Sequence, residues 1–72
     1  MKNYELIHEI FDMCNGKPDS QISEIAAENL DDYMKDHISR AATCEKSVDD
    51  NGAVVYLVMT NGQKERYTFS EI

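Results

Sequence analysis

Residues 43–70, TCEKSVDDNGAVVYLVMTNGQKERYTFS, carry the signals that decide the fold. Three segments within them are rich in β-branched and aromatic residues: Thr43–Val48, Ala53–Thr60 and Gln63–Ser70. The stretches between these segments, Asp49–Gly52 and Asn61-Gly62, favour hairpins because asparagine and glycine tolerate positive φ. The pattern therefore predicts an antiparallel meander of three strands.

The register of this meander follows from its turns. A two-residue turn at Asn61-Gly62 pairs Tyr56 with Tyr67 and Val54 with Phe69, which gives one aromatic face. A three-residue loop, 50–52, with Gly52 left-handed, places Cys44 and Val48 on that same face. We expect the aromatic face to pack on helices. The opposite face carries a stripe of Val55, Leu57 and Met59, which is either covered by another segment or is a contact surface.

The first segment of the chain has helical spacing. Its apolar residues recur at intervals of three and four: Leu6, Ile7, Ile10, Phe11, Met13 and Cys14. This spacing predicts a helix over residues 4–14, with Asn3 as its N-cap. Asn15-Gly16 supplies a left-handed stop, and Pro18 prevents the helix from continuing.

Residues 19–40 allow two interpretations. One is a single long helix capped by Asp19 or Ser20. The other is a short strand over 21–27, followed by a helix that Asn29 introduces and whose first turn is acidic. A helix over about 30–40 is common to both. We therefore predict a single α+β domain over 1–72, with two helices packed on an antiparallel sheet of three strands, or four if 21–27 is extended. The element order is α-(β or α)-α-β-β-β.

The charge is strongly acidic and unevenly distributed. Fourteen acidic residues against seven basic ones give a net charge of −7 in 72 residues. Residues 1–36 hold nine acids and three lysines, a net of −6, whereas residues 37–72 hold five acids and four basic residues, a net of −1. No apolar run approaches the roughly 20 residues of a membrane span, and the N-terminus lacks the apolar region of a signal peptide. We expect a cytoplasmic protein that does not bind membranes.

Eight of the nine acids of the first half are the candidate partner-binding residues: Glu5, Glu9, Asp12, Glu24, Glu28, Asp31, Asp32 and Asp36. On helices, carboxylates four residues apart are separated by about 6 Å along the axis, so two such helices approach the charge density of a nucleic-acid backbone. A basic nucleic-acid-binding protein is the predicted partner. Direct binding to nucleic acid is disfavoured because the charges repel.

Catalytic and metal-binding chemistry has little support. His8 is one helical turn from Asp12, a spacing typical of an ordinary surface pair, and His37 ends an apolar stripe, which indicates a semi-buried histidine. Cys14 and Cys44 are expected to be buried thiols that pack as small hydrophobic groups; the alternative is a Cys14–Cys44 disulfide, which would need a setting outside the cytosol. The spacing of these four residues does not match a zinc site, and no nucleophile or phosphate-binding motif is present. We expect a protein that is not an enzyme, with no metal and no cofactor.

Small size, strong acidity, a helix-plus-meander plan and no enzyme motif together resemble the anti-CRISPR proteins of phages and mobile elements. The segments YELIHEIFDMCNG (4–16) and QKERYTFSEI (63–72) are the most distinctive parts of the chain. The resemblance implies an inhibitor that imitates DNA and blocks target binding by a CRISPR effector in the host cytoplasm, as a monomer or weak dimer. The alternative is a hydrophobic-surface adaptor or a homodimer that uses Val55, Leu57 and Met59.

Overall fold

The computed structural model describes residues 1–11, 18–38, 42–60 and 62–72. These residues form one helix and five strands in this order: β1 Lys2–Phe11, β2 Pro18–Ala27, α1 Leu30–His37, β3 Thr43–Val48, β4 Val54–Thr60 and β5 Gln63–Glu71. The strands make one sheet with the spatial order β2-β1-β5-β4-β3, and every neighbouring pair is antiparallel.

The predicted helix over residues 4–14 is wrong, because residues 2–11 form strand β1. Leu6 and Ile10 point to one side of β1, whereas Ile7 and Phe11 point to the other. The strand is paired with β2 on one side and β5 on the other, and the two hydrogen-bonded ladders hold this segment extended. Asn3 pairs with Ala26 instead of capping a helix. The predicted stop at Asn15-Gly16 lies outside the described residues.

Residues 18–27 are extended, so the second interpretation of the middle segment is confirmed and the single long helix is wrong. Asn29 begins α1, because its side-chain oxygen accepts hydrogen bonds from the backbone N–H groups of Asp31 at 2.9 Å and Asp32 at 3.4 Å. The helix ends at His37. The α+β class with two helices on three or four strands is therefore corrected to one short helix on a five-stranded sheet.

The meander prediction is confirmed in its strands and in its register. Tyr56 pairs with Tyr67, and Val54 pairs with Phe69. Gly52 has a φ of 85°, and the loop before it closes through a hydrogen bond from the Asp49 N–H to the Ala53 carbonyl at 3.0 Å. Cys44 lies opposite Val58, so it shares the aromatic face as expected.

The core lies between α1 and the aromatic side of the sheet, called the covered face below. Its buried members come from the helix and from the three inner strands: Leu6, Met34, Tyr56, Val58, Tyr67 and Phe69. Phe69 is 1% exposed and meets the rings of Tyr4, Tyr33 and Tyr56 edge-on. Because α1 covers one side of the sheet, the opposite side, called the open face, carries the stripe of Val55, Leu57 and Met59.

Candidate protein-binding surface

The eight predicted acids do not form stripes on two helices, because the first helix is absent. Glu5, Glu9 and Glu24 lie on the open face, and Glu5 is directly opposite Glu24 on the neighbouring strand. The other described members lie at or beside α1: Glu28, Asp31, Asp32 and Asp36. Asp12 lies outside the described residues. The structure therefore divides the predicted set between the open face and the helix.

Two of the eight acids are already paired with cations. Glu9 Oε1 accepts hydrogen bonds from two nitrogens of Arg66, at 2.7 and 2.8 Å. Asp31 Oδ1 lies 3.4 Å from Lys46 Nζ and accepts a 2.7 Å hydrogen bond from the Tyr56 hydroxyl. Both acids therefore contribute to the fold, and both are weaker candidates for partner binding than the sequence indicated.

Glu28, Asp32 and Asp36 line one recess, called the acidic recess below. It has a volume of about 300 Å³ and lies where the end of β2 meets α1. Its remaining walls are Met1, Ala26, Ala27, Asn29 and Tyr33. All three carboxylates are exposed, and no cationic side chain of the described residues lies within 4 Å of them.

Local structure fixes the geometry of this recess. The Asn29 cap begins α1 beside Glu28, and residues 32 and 36 are one turn apart, so their side chains lie on the same side of the helix. Tyr33 is held from two directions, because it stacks on His37 at 4.0 Å between ring centroids and meets Phe69 edge-on at 5.7 Å. The sequence predicted the three acids but gave no sign that Tyr33 forms a wall between them.

A second recess of about 330 Å³ separates α1 from β3. Burial raises the pKa of Tyr56 above the usual range, and the nearby Asp31 carboxylate adds to the effect. In return, the hydrogen bond from Tyr56 and the charge of Lys46 lower the pKa of Asp31.

Cys44 lines the same recess and is exposed, so the prediction of a buried thiol is wrong for this residue. Desolvation raises the pKa of the Cys44 thiol, and the negative charge of Asp31 raises it further. The thiol is therefore a poor nucleophile at neutral pH.

Asp12, the predicted partner of His8, lies outside the described residues; among the described side chains, His8 contacts Glu65. Its Nε2 lies 2.8 Å from Glu65 Oε1, and its ring stacks on Tyr67 at 4.1 Å. Burial raises the pKa of Tyr67 to about 12, with a further contribution from the charge of Glu65. The sequence could not indicate this group, because Glu65 is 57 residues away and is reached only through the β1–β5 pairing.

His37 is exposed, and not semi-buried as predicted. Its Nδ1 lies 2.7 Å from the Tyr33 carbonyl, which can only accept, so Nδ1 carries the proton. Among the described residues, no three His, Cys, Asp or Glu side chains are placed to share a metal ion. Within those same ranges, no helix has the length and apolar character needed to cross a bilayer.

Comparison with known proteins adds no assignment: no family model, curated protein or solved structure matches this chain. The candidate surfaces are therefore defined by geometry. One is the acidic recess, and the other is the open face with Val55, Leu57 and Met59.

Proposed function

We propose that this protein is a non-enzymatic inhibitor that binds a basic, nucleic-acid-binding partner through the acidic recess. The observation that carries the proposal is that Glu28, Asp32 and Asp36 line the same recess, and none of them has a cationic partner among the described side chains. Three exposed carboxylates beside an aromatic wall form a suitable receptor for a cationic side chain.

An arginine or lysine of the partner fits both parts of this recess. Its aliphatic stem would pack on Ala26 and Tyr33, and its charged end would reach the carboxylates. Glu24 and Glu5 extend the negative potential around the end of β2 onto the open face. The attraction speeds association and weakens as salt is added.

Inhibition follows from competition for the same basic surface. A groove that binds nucleic acid presents arginine and lysine side chains, and a protein docked on them blocks phosphate contacts. The net charge of −7 opposes binding of the protein itself to DNA or RNA. A CRISPR effector in the host cytoplasm is the narrower form of this proposal, and it rests on the resemblance alone.

The test compares two double variants of equal charge. Glu28→Lys with Asp36→Lys changes the recess, and Asp19→Lys with Asp50→Lys changes exposed acids elsewhere; each pair moves the net charge from −7 to −3 (−7 + 4). Asp32 is left unchanged because it lies in the first turn of α1, where a lysine would oppose the helix dipole. Circular dichroism checks that both variants are folded.

The binding assay uses immobilised protein and a lysate fraction eluted from DNA-cellulose. We expect capture of proteins that a DNA duplex then releases, a loss of at least about tenfold for the recess variant, and near-normal capture by the control variant. A tenfold loss corresponds to about 1.4 kcal/mol of binding free energy. If both variants lose capture equally, the binding depends on net charge alone. If both variants capture as well as the wild-type protein, the acidic recess is not the binding site.

A further inference from the structure

The open face is an apolar surface that the described elements leave uncovered. Its apolar side chains come from three strands: Ile7 and Phe11 of β1, Ile22 of β2, and Val55, Leu57 and Met59 of β4. Ile22 is 70% exposed and Met59 is 46% exposed. Large apolar side chains on one uncovered side of a sheet are typical of a surface that packs against another protein.

The strand register aligns these side chains in rows that cross the middle strand β5, whose open-face residues are Lys64, Arg66, Thr68 and Ser70. Ile22, Ile7, Thr68 and Val55 form one row across four neighbouring strands. The adjacent row contains the Glu9–Arg66 ion pair beside Leu57. Because Glu9 and Arg66 neutralise each other in this ion pair, they present less unpaired charge to an opposing surface.

The area of the open face is sufficient for a dimer. Five strands at about 4.8 Å spacing are roughly 24 Å wide, and seven residues of β4 at about 3.4 Å each are roughly 24 Å long. Two such faces in contact would bury on the order of 1,150 Å² in total, just above the roughly 1,000 Å² expected of a specific interface. An interface of this size supports a weak, reversible dimer.

The charges on the open face favour one mode of self-association. Glu5 and Glu24 lie side by side at one end of the strands, whereas Lys64 lies at the other end, opposite Phe11. From Ser70, the β5 neighbour of Glu5, to Lys64 is six residues, or about 20 Å along the strand. Glu45 of β3 lies on the same face opposite Leu57, at the edge of the sheet. Along the inner strands β1 and β5, the face is therefore acidic at the end with Glu5 and carries Lys64 at the other end.

The position of β5 selects between the two possible two-fold axes. Because β5 is the middle strand, an axis parallel to the strands would place Lys64 over Lys64 and Arg66 over Arg66 in the second copy. Such like charges repel. The other axis also lies between the two faces, but it runs perpendicular to the strands. It makes the strands of the second copy run in the opposite direction, so the Glu5 end of each copy meets the Lys64 end of the other.

We propose that a second copy of this chain packs on the open face, with strands antiparallel across the interface. In this arrangement Val55 of one copy lies over Leu57 of the other, and Glu5 lies near Lys64 of the second copy. The interface is self-complementary, as a two-fold dimer requires. It shares Glu5 with the negative surface around the acidic recess but none of the three recess carboxylates, so the Glu28→Lys with Asp36→Lys variant tests partner binding and Leu57→Lys tests the dimer.

The first test measures mass by sedimentation equilibrium over a micromolar to millimolar concentration series. We expect the wild-type protein to pass from monomer to dimer. Leu57→Lys should remain monomeric, because it buries a charge in the interface. Val48→Lys is the matched control: Val48 is 64% exposed, but it lies on the covered-face side of β3, so its lysine variant should dimerise as the wild type does.

The second test exchanges the proposed ion pair. Glu5→Lys and Lys64→Glu should each weaken the dimer several-fold, and the double variant should restore it. Within one chain the two positions are about 20 Å apart, beyond a Debye length of about 10 Å at 0.1 M salt, so restoration requires a second copy. A protein that is monomeric throughout, or a dimer that Leu57→Lys leaves intact, overturns the proposal. A dimer without restoration overturns the antiparallel arrangement.

Discussion

Replacing Phe69 by leucine tests the packing that holds α1 on the sheet. Phe69 is almost completely buried, at 1% exposure. It meets three tyrosine rings edge-on: Tyr33 and Tyr56 at 5.7 Å between centroids, and Tyr4 at 6.3 Å. Leucine retains most of the apolar volume, so the variant chiefly removes the three ring-to-ring contacts.

The expected loss in the free energy of unfolding can be calculated from these three ring contacts. Edge-to-face aromatic pairs contribute about 0.5–1.5 kcal/mol each beyond the area they bury, so three pairs give about 1.5–4.5 kcal/mol. A 72-residue domain has a free energy of unfolding of about 4–11 kcal/mol at roughly 0.05–0.15 kcal/mol per residue. The unfolding entropy of such a domain is about 150 cal/mol/K, so the loss lowers Tm by about 10–30 °C.

The assay is thermal and urea unfolding followed by circular dichroism, with Phe11→Leu as the matched control. Phe11 lies on the open face, where its ring contacts the cations of Lys64 and Arg66, and such exposed contacts contribute about 0.5–1 kcal/mol each. A double-mutant cycle with Tyr33→Leu should give a coupling energy of about 0.5–1.5 kcal/mol between helix and sheet. The reasoning is refuted if Phe69→Leu costs no more than Phe11→Leu, or if this coupling is absent.

Three further predictions concern individual side chains. Tyr56→Phe should raise the pKa of Asp31 toward 3.8 in an NMR titration, because it removes the main stabilising hydrogen bond; an unchanged pKa contradicts this cause. Stability should decrease from about pH 10 toward 12, because folded Tyr67 keeps its proton to about pH 12 while the unfolded chain loses it near 10; Tyr67→Phe should lessen the decrease in alkaline unfolding curves. Asn29→Ala should lower the free energy of unfolding in urea by about 1 kcal/mol through loss of the N-cap, and an unchanged midpoint would exclude that role.

The meander could be predicted because its signals are local. Gly52 and Gly62 both have positive φ, and each ends a short turn between segments of alternating character. The alternation fixes which side chains share a face, and the turn lengths fix which residues are opposite. The pairing of Tyr56 with Tyr67 therefore followed from the sequence without knowledge of the rest of the chain.

Strand β1 could not be predicted in this way, because an interval of four residues fits both periods. Glu5 and Glu9 share one side of a helix, but they also share one face of a strand, since four is a multiple of two. The pairs Leu6-Ile7 and Ile10-Phe11 then place apolar groups on both faces, so the segment lacks the alternation of apolar and polar residues that marks a strand in a sequence. Without its neighbours β2 and β5, the segment has the appearance of an amphipathic helix.

The candidate site was predictable only in part, for a related reason. Glu28, Asp32 and Asp36 are near one another in sequence, and a local helix brings them together. The ion pair of Glu9 with Arg66 joins residues 57 apart, so it depends on the pairing of β1 with β5. A count of acidic residues in a sequence therefore overestimates the number of unpaired carboxylates in the folded protein, although the net charge is the same.

The two proposed interactions should respond to salt in opposite ways. Binding of a cationic partner at the acidic recess depends on attraction between opposite charges, so it weakens as the Debye length falls from about 10 Å at 0.1 M to about 3 Å at 1 M. Dimerisation brings together two chains of net charge −7. Apolar contact stabilises the dimer, and the overall repulsion between the two chains destabilises it. Screening reduces that repulsion more than it reduces the close contact between Glu5 and Lys64, so the dimer should strengthen. A dimer that weakens with salt as partner capture does would contradict this balance, because it would mean that attraction between Glu5 and Lys64 outweighs the overall repulsion.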